Sequence, residues 1–253
     1  MRWIGPLESA ALLTALPVSA RAASSTRGVL PWAPLVGLVL GGMATGVAVL
    51  GSRWITPAAG AVLAVAVLAL LTRGLHLDGL ADTADGLGPL RDRERALKLM
   101  HRGDVGPFGV VAVVLTVLLQ VACIAALLPA DGGWLPVWAA VVVARLAMAR
   151  TGLPGVPIAV GSSLGRAVGG TVSRVWLAGL VVVVGGILAG VGALLSGPTA
   201  LRLLAASVAA LLATELLHRR AVARLGGITG DVMGAMSELA TTAYVLTAAA
   251  LWT

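Results

Sequence analysis

Charge is scarce in this sequence. Only 11% of its 253 residues are Asp, Glu, Lys or Arg, against about 25% in a soluble domain. Hydrophobic residues make up 58% of the chain, and the mean hydropathy is +0.99. So little polar surface cannot cover a globule in water, and the chain is predicted to be a polytopic, all-α membrane protein. Cysteine is nearly absent: the single Cys123 lies in an apolar run, which excludes a disulfide framework and a cysteine-based metal cluster. Base-stacking aromatics are short as well. With one Tyr and one Phe, the net charge of +7 does not read as a nucleic-acid face, and no nucleic acid is expected as a partner.

The cations are instead expected to mark loops on one side of a bilayer. Seven apolar segments approach the roughly 20 residues that a span needs. They run from Pro31 to Leu50, Thr56 to Leu71, Gly106 to Leu128, Trp134 to Ala149, Val175 to Leu195, Thr199 to Leu217 and Val232 to Trp252. With the N-terminus inside, the inner segments hold Arg2, Arg21, Arg27, Arg73, Arg91, Arg93, Arg95, Lys98, Arg102, Arg150, Arg166, Arg174, Arg219, Arg220 and Arg224. That is fifteen of the 18 cations. Ahead of the first span, the apolar run from Ser9 to Val18 and the Ala20-Arg21-Ala22 triplet imitate a cleaved signal peptide. Pro6 and Glu8 fit that poorly. The expectation is a retained helix on the membrane surface, with Glu8 towards water and Leu12, Leu13 and Leu16 in lipid. Residues 1–253 read as one integral membrane domain.

One stretch breaks the composition: Arg73-Gly-Leu-His76-Leu-Asp78-Gly79-Leu-Ala-Asp82-Thr-Ala-Asp85-Gly86. Its aspartates recur at i, i+4 and i+7, which on a helix puts all three within an arc of about 60°. Such a cluster repels itself, and an Asp dragged to bilayer depth costs about 2.5–3.5 kcal/mol. A cation is needed there. Oxygen ligands without His or Cys suit magnesium or manganese completed by phosphate oxygens. The bland reading is a solvated helix whose acids pair with Arg91, Arg93 and Arg95. Against it, Gly79, Gly86 and Gly88 each cost a helix about 1 kcal/mol, whereas glycines beside carboxylates let a bulky ligand approach the backbone.

A second polar island is Gly226-Gly227-Ile-Thr229-Gly230-Asp231-Val-Met-Gly234-Ala235-Met-Ser237-Glu238. A helix starting near Asp231 puts Asp231 and Glu238 on one face with Gly234 between them, while Thr229 or Asp231 could equally be a plain N-cap. Both islands fall on the inner side, so they can converge. Arg91, Arg93, Glu94, Arg95 and Lys98 read as a surface helix with i,i+4 pairs, or as contacts for an anionic phosphate. Arg145 reads either as a snorkelling cation or as a phosphate clamp, and Glu215 as the partner of Arg219. His76 points about 160° from Asp78, away from any ion there but able to orient substrate. His101 and His218 read as interfacial polar residues.

These residues match a known family end to end. Leu13-Thr14-Ala15-Leu16-Pro17, Pro34-Leu35-Val36-Gly37, the run from His76 to Gly86, Arg95 to Met100 leading to Gly106 and Gly109, and Gly226 to Asp231 together resemble the cobalamin synthases, the adenosylcobinamide-GDP ribazoletransferases. Three departures stand out. Ala15 replaces a frequent arginine, Arg73 replaces a frequent glycine, and His101-Arg102-Gly103-Asp104 replaces a basic residue followed by Asp-Ser. The resemblance implies a magnesium-dependent transferase of the bacterial or archaeal inner membrane, with its site on the cytoplasmic side. Such an enzyme joins adenosylcobinamide-GDP to α-ribazole or its 5′-phosphate and releases GMP. It further implies Asp78, Asp82, Asp85 and Asp231 as metal ligands, and Asp82 and Asp231 as the catalytic pair. His76, Arg95, Lys98, Arg102, Arg145 and Thr229 are the candidate substrate contacts. Corrinoid and nucleotide substrates and the lipid bilayer are the expected partners; a homo-oligomer or association with other corrinoid-pathway membrane proteins stays open. Two rivals differ in pattern. A CDP-alcohol phosphatidyltransferase has Asp-Gly followed by Ala-Arg, where here Ala81 precedes Asp82, and a metal-ion transporter prefers acids at the bilayer midplane.

Overall fold

Backbone amides cannot go unpaired in hydrocarbon, and a chain this apolar is confined to helices. The computed structural model describes residues 4–19, 25–88 and 92–252. Its helices are α1 (Gly5–Leu13), α2 (Ala33–Trp54), α3 (Pro57–Leu71), α4 (Leu75–Leu87), α5 (Arg93–Met100), α6 (Pro107–Leu127), α7 (Trp134–Ala149), α8 (Ser163–Val168), α9 (Arg174–Leu195), α10 (Gly197–Leu225) and α11 (Gly230–Trp252). Most starts are chemically marked. Pro57, Pro107 and Pro198 stand in first turns, where the missing N–H costs nothing. The side chains of Thr56, Asp92, Ser162, Ser173 and Ser196 cap α3, α5, α8, α9 and α10.

All seven predicted spans are helical, but seven membrane crossings are not reached. By length and composition five segments qualify alone: α2, α6, α7 with the 3-10 turn that follows it, α9 and α10. Helix α3 has 15 residues, about 22 Å of rise, which is short of a hydrocarbon core about 30 Å thick. It qualifies only together with α4, and the two are bent by 89°. Helix α11 is long enough with 23 residues, but Asp231, Ser237, Glu238, Thr241 and Thr242 make it too polar to qualify. Helix α7 lies at the centre, with nearly every side chain after Trp134 buried, whereas α9 fully buries only Leu188 and Gly192 and is mostly exposed or half-buried.

The bend between α3 and α4 is a Schellman turn. Gly74 N–H donates to the Ala69 carbonyl (2.7 Å) and Arg73 N–H to that of Leu70 (3.0 Å). Such a turn wants a left-handed residue after the cap, and here it is Arg73, at φ 56°. The position explains why a glycine is frequent there in the family that the sequence resembles. Arg73 Nη2 also donates to the Leu12 carbonyl (2.8 Å), which ties α1 to the bend. On α1 the surface-helix expectation is corrected. Glu8 is half-buried and accepts Gly28 N–H (2.6 Å), Ser9 bonds the Val29 carbonyl, and Leu13 packs in the core. The triplet at 20–22, like Arg2 and Arg91, lies outside the described residues.

If the left-handed turn is what position 73 must supply, Arg73→Gly should keep the thermal unfolding midpoint in detergent within a few degrees of the parent. Arg73→Val, β-branched at positive φ, should lower it clearly.

Candidate functional site

The two acidic islands meet because glycine lets their backbones touch. A Cβ on Gly79 of α4 would stand 2.6 Å from the Asp231 carbonyl oxygen, and one on Gly234 of α11 would stand 3.2 Å from His76 Cα. Helices α4 and α11 thus pack main chain to main chain, which sets Asp231 beside Asp78 and Asp82. The loop before α11 is held in the same way. Gly226 ends α10 at φ 80°, a Cβ on Gly227 would collide with the Ile158 and Ala159 backbone, and Ile228 forms a short parallel bridge with Ile158. Thr229 is the N-cap of α11, accepting Val232 N–H (3.1 Å) while its hydroxyl donates to Asp231 Oδ2 (3.2 Å).

Around this junction lies a cavity of about 760 Å³. Asp78, Asp231, Thr229, His76, His101, Arg73, Ser162 and Ser163 supply its polar wall, and Leu12, Leu30, Met100, Met148, Leu164 and Met233 are among its apolar residues. Helix α4 is bent by 89° from α3 and packs against α11 and α6. Burial and then the neighbouring Asp78, Asp231 and Asp85 push the Asp82 carboxyl up to about 6, with His101 opposing. Burial also raises Asp231, against the hydrogen bond from Thr229. Burial first, then the Arg145 charge, holds His76 well below the usual histidine range.

The predicted residues divide into three groups. Asp78, Asp231, His76 and Thr229 share the cavity, and Asp82 flanks it. Asp85 is used differently. It is buried, and its two carboxylate oxygens accept Gly106 N–H (2.7 Å) and Gly109 N–H (3.0 Å), anchoring α4 to the start of α6. The cations do not reach the cavity. Arg95 pairs with Asp92 and Lys98 with Glu94 at the exposed surface, Arg102 is exposed, and none of the three lines the cavity. Arg145 does not snorkel and does not line the cavity: 2% exposed, it donates from Nη2 to His76 Nδ1 (3.3 Å) beneath the site. His101, Arg73, Ser162 and Ser163 line the cavity without having been singled out as site residues. For the serines a hint was present, since Ser162 before Leu164-Gly165 is an N-cap pattern. Among the described residues, no three His, Cys, Asp or Glu side chains converge to hold an ion by themselves.

A cavity with carboxylates and hydroxyls in its wall, set among several helices apolar enough to cross a membrane, defines a multi-pass membrane protein with a polar site. The comparisons name the kind. Residues 6–249 match the cobalamin-5-phosphate synthase family, and the chain belongs to that family of enzymes. It is 39% identical to the adenosylcobinamide-GDP ribazoletransferase of Frankia casuarinae over 93% of this chain and 90% of that one. Identity is also 39% with the protein of that name from Chlorobaculum parvum, over 95% and 92%, and 36% with the one from Bradyrhizobium diazoefficiens, over 96% and 92%. No solved structure matches the chain.

Asp82 and Asp85 should separate in stability. A carboxyl whose pKa is raised by folding makes its ionised form a cost at neutral pH, so Asp82→Asn should leave the unfolding midpoint at pH 7.5 unchanged or higher. Asp85→Asn turns an amide N–H towards a backbone N–H and should lower that midpoint.

Proposed function

We propose that the protein is an adenosylcobinamide-GDP ribazoletransferase. It joins adenosylcobinamide-GDP to α-ribazole or its 5′-phosphate, giving adenosylcobalamin or its 5′-phosphate and GMP. The observation that carries this reading is the convergence of Asp78 and Asp231 on one cavity through the Gly79 contact. The cavity's mixed walls suit a substrate with both a diphosphate and apolar rings. The cations around the same end of the bundle favour a cytoplasmic site in the bacterial inner membrane.

Asp78 and Asp231 offer oxygen only, with the Thr229 hydroxyl beside them, and that donor set fits magnesium or manganese. Magnesium usually takes one or two carboxylates and completes its shell with substrate phosphate and water, so the lack of a three-residue cage among the described residues agrees with it. Bound there, the ion would neutralise the diphosphate and the charge developing on departing GMP. The protein's own part is positional. Asp78 and Asp231 hold the cationic centre, Asp82 deepens the negative field, and Ser162 and Ser163 offer hydroxyls to phosphate oxygens. Leu12, Leu30 and the three methionines exclude water from the ring faces. Asp85 serves by anchoring α4, and Arg145 by supporting His76.

In lipid vesicles, adenosylcobinamide-GDP and α-ribazole 5′-phosphate should yield GMP, with activity lost in chelator and restored by magnesium or manganese. Asp82→Asn should slow the rate about a hundredfold or more, and Asp131→Asn, at the far end of the bundle, should change nothing. Because a proton competes for Asp82 near pH 6, the magnesium needed for half-activity should climb as pH falls through that value. Full activity in chelator, or turnover of a CDP-linked lipid instead, rejects the reading. In a Cys123→Ala background, cysteines at positions 104 and 131 should be labelled from the cytoplasmic and outer sides respectively; the reverse pattern rejects the orientation.

A further inference from the structure

His101 is the C-cap residue of α5, and its ring lines the cavity. Its Nδ1 stands 2.5 Å from the Leu97 carbonyl oxygen. A carbonyl only accepts, so Nδ1 carries the hydrogen, and in the neutral ring Nε2 is left with its lone pair. Among the described residues Nε2 has no hydrogen-bond partner. Its nearby wall is the Gly161 backbone, where even an added methyl would stop 3.9 Å short of Nε2. Opposite are the acids of α4 and α11: Asp82 and Asp231 both sense His101 electrostatically. Among the described residues no ion pair joins His101 to either, and His101 and Asp231 line the same cavity. Asp231 Oδ2 already takes the Thr229 hydroxyl, and the proposed function gives its carboxylate to the ion.

We propose that His101 is a catalytic residue of this enzyme, its Nε2 taking the proton from the attacking ribose hydroxyl. The inference rests on the ribazoletransferase reading. In the step, the hydroxyl proton passes to Nε2, and the ribose oxygen forms a bond to the phosphorus nearer the corrinoid. The bond from that phosphorus to the bridging oxygen breaks, its electron pair leaving with GMP. The imidazolium then returns its proton to water. The Leu97 bond fixes the ring so that the basic nitrogen faces the cavity throughout.

The test compares His101→Ala and His101→Lys with the parent protein in lipid vesicles. His101 is exposed, so both variants should keep the parent's unfolding midpoint. The expected result is a kcat lower by about a hundredfold in both, with KM for either substrate within about threefold, and recovery of a substantial part of kcat when free imidazole is added to His101→Ala. Asp82→Asn should gain nothing from imidazole. Full rate in His101→Lys would show that position 101 supplies only positive charge and would overturn the proposal, as would an unaltered kcat in His101→Ala or a loss that imidazole does not repair. A parent protein that releases no GMP would overturn the functional reading itself, which is a separate outcome.

Discussion

Everything at the polar end depends on a main-chain contact. Gly79 on α4 and Gly234 on α11 let two helices approach closer than any side chain would permit, and only at that distance do acids from distant parts of the sequence share a cavity. Helix α4 is fixed at both ends as well: the Schellman turn at Arg73-Gly74 aims its start, and Asp85 ties its end to the first turn of α6. A 13-residue helix with five Asp and Gly residues before its last position has little intrinsic stability. Its conformation is imposed by neighbours, and that suits a segment whose charges repel one another. Burial first, and then that repulsion, raises the Asp82 carboxyl, a cost that a bound cation would offset and that packing alone does not.

Beneath the cavity several buried polar groups find partners in one another, although Arg145 Nε, Thr83 Oγ1 and Ser237 Oγ have none among the described residues. Arg145 bonds His76, and Gln120 donates to Glu238 and Thr242, so that one buried group supports the next between α4, α6, α7 and α11. To one side, Arg150 and Arg219 grip the two oxygens of Glu215 (2.7 and 2.8 Å), and Arg150 reaches His218 as well (2.9 Å). That cluster joins the end of α7 to α10. An unpaired charge at such depth would cost several kcal/mol, whereas satisfied networks fix the relative position of the helices. The site therefore stands on a polar floor of which His76 also lines the cavity.

Helical periodicity and composition made the elements, their order and the acidic run legible, because apolar segments and an i, i+4, i+7 pattern are local properties. Partners are not local. The pattern put Asp85 on the same arc as Asp78 and Asp82, yet its oxygens are taken by amides of α6, a contact that no spacing encodes. Arg145 was open between lipid headgroup and phosphate because position along a helix does not reveal whether the facing helix offers an acceptor; it does, in His76. The short segment through Ile158 and Ser162 carries no periodicity, and its place in the cavity wall follows from a single bridge to Ile228. Span number is not a local property either: α3 qualifies only together with α4, and α11 gives up apolar residues to the polar floor.

The wall with the least support of its own is α1. It has nine residues and no side-chain cap at its start, so it cannot persist by helix propensity. It is held from outside by the Glu8 and Ser9 bonds to 28–29, by Ala15 N–H to the Leu71 carbonyl (2.6 Å), and by Arg73 to the Leu12 carbonyl. The last of these accounts for a non-glycine residue in a left-handed conformation. Holding an L side chain there costs about 1–2 kcal/mol, of the same order as the hydrogen bond that a charged guanidinium makes with a carbonyl. A glycine would remove the strain and the tether together. Arginine at this position thus exchanges backbone comfort for a cross-link, and in doing so closes the α1 side of the cavity against the bend that aims α4.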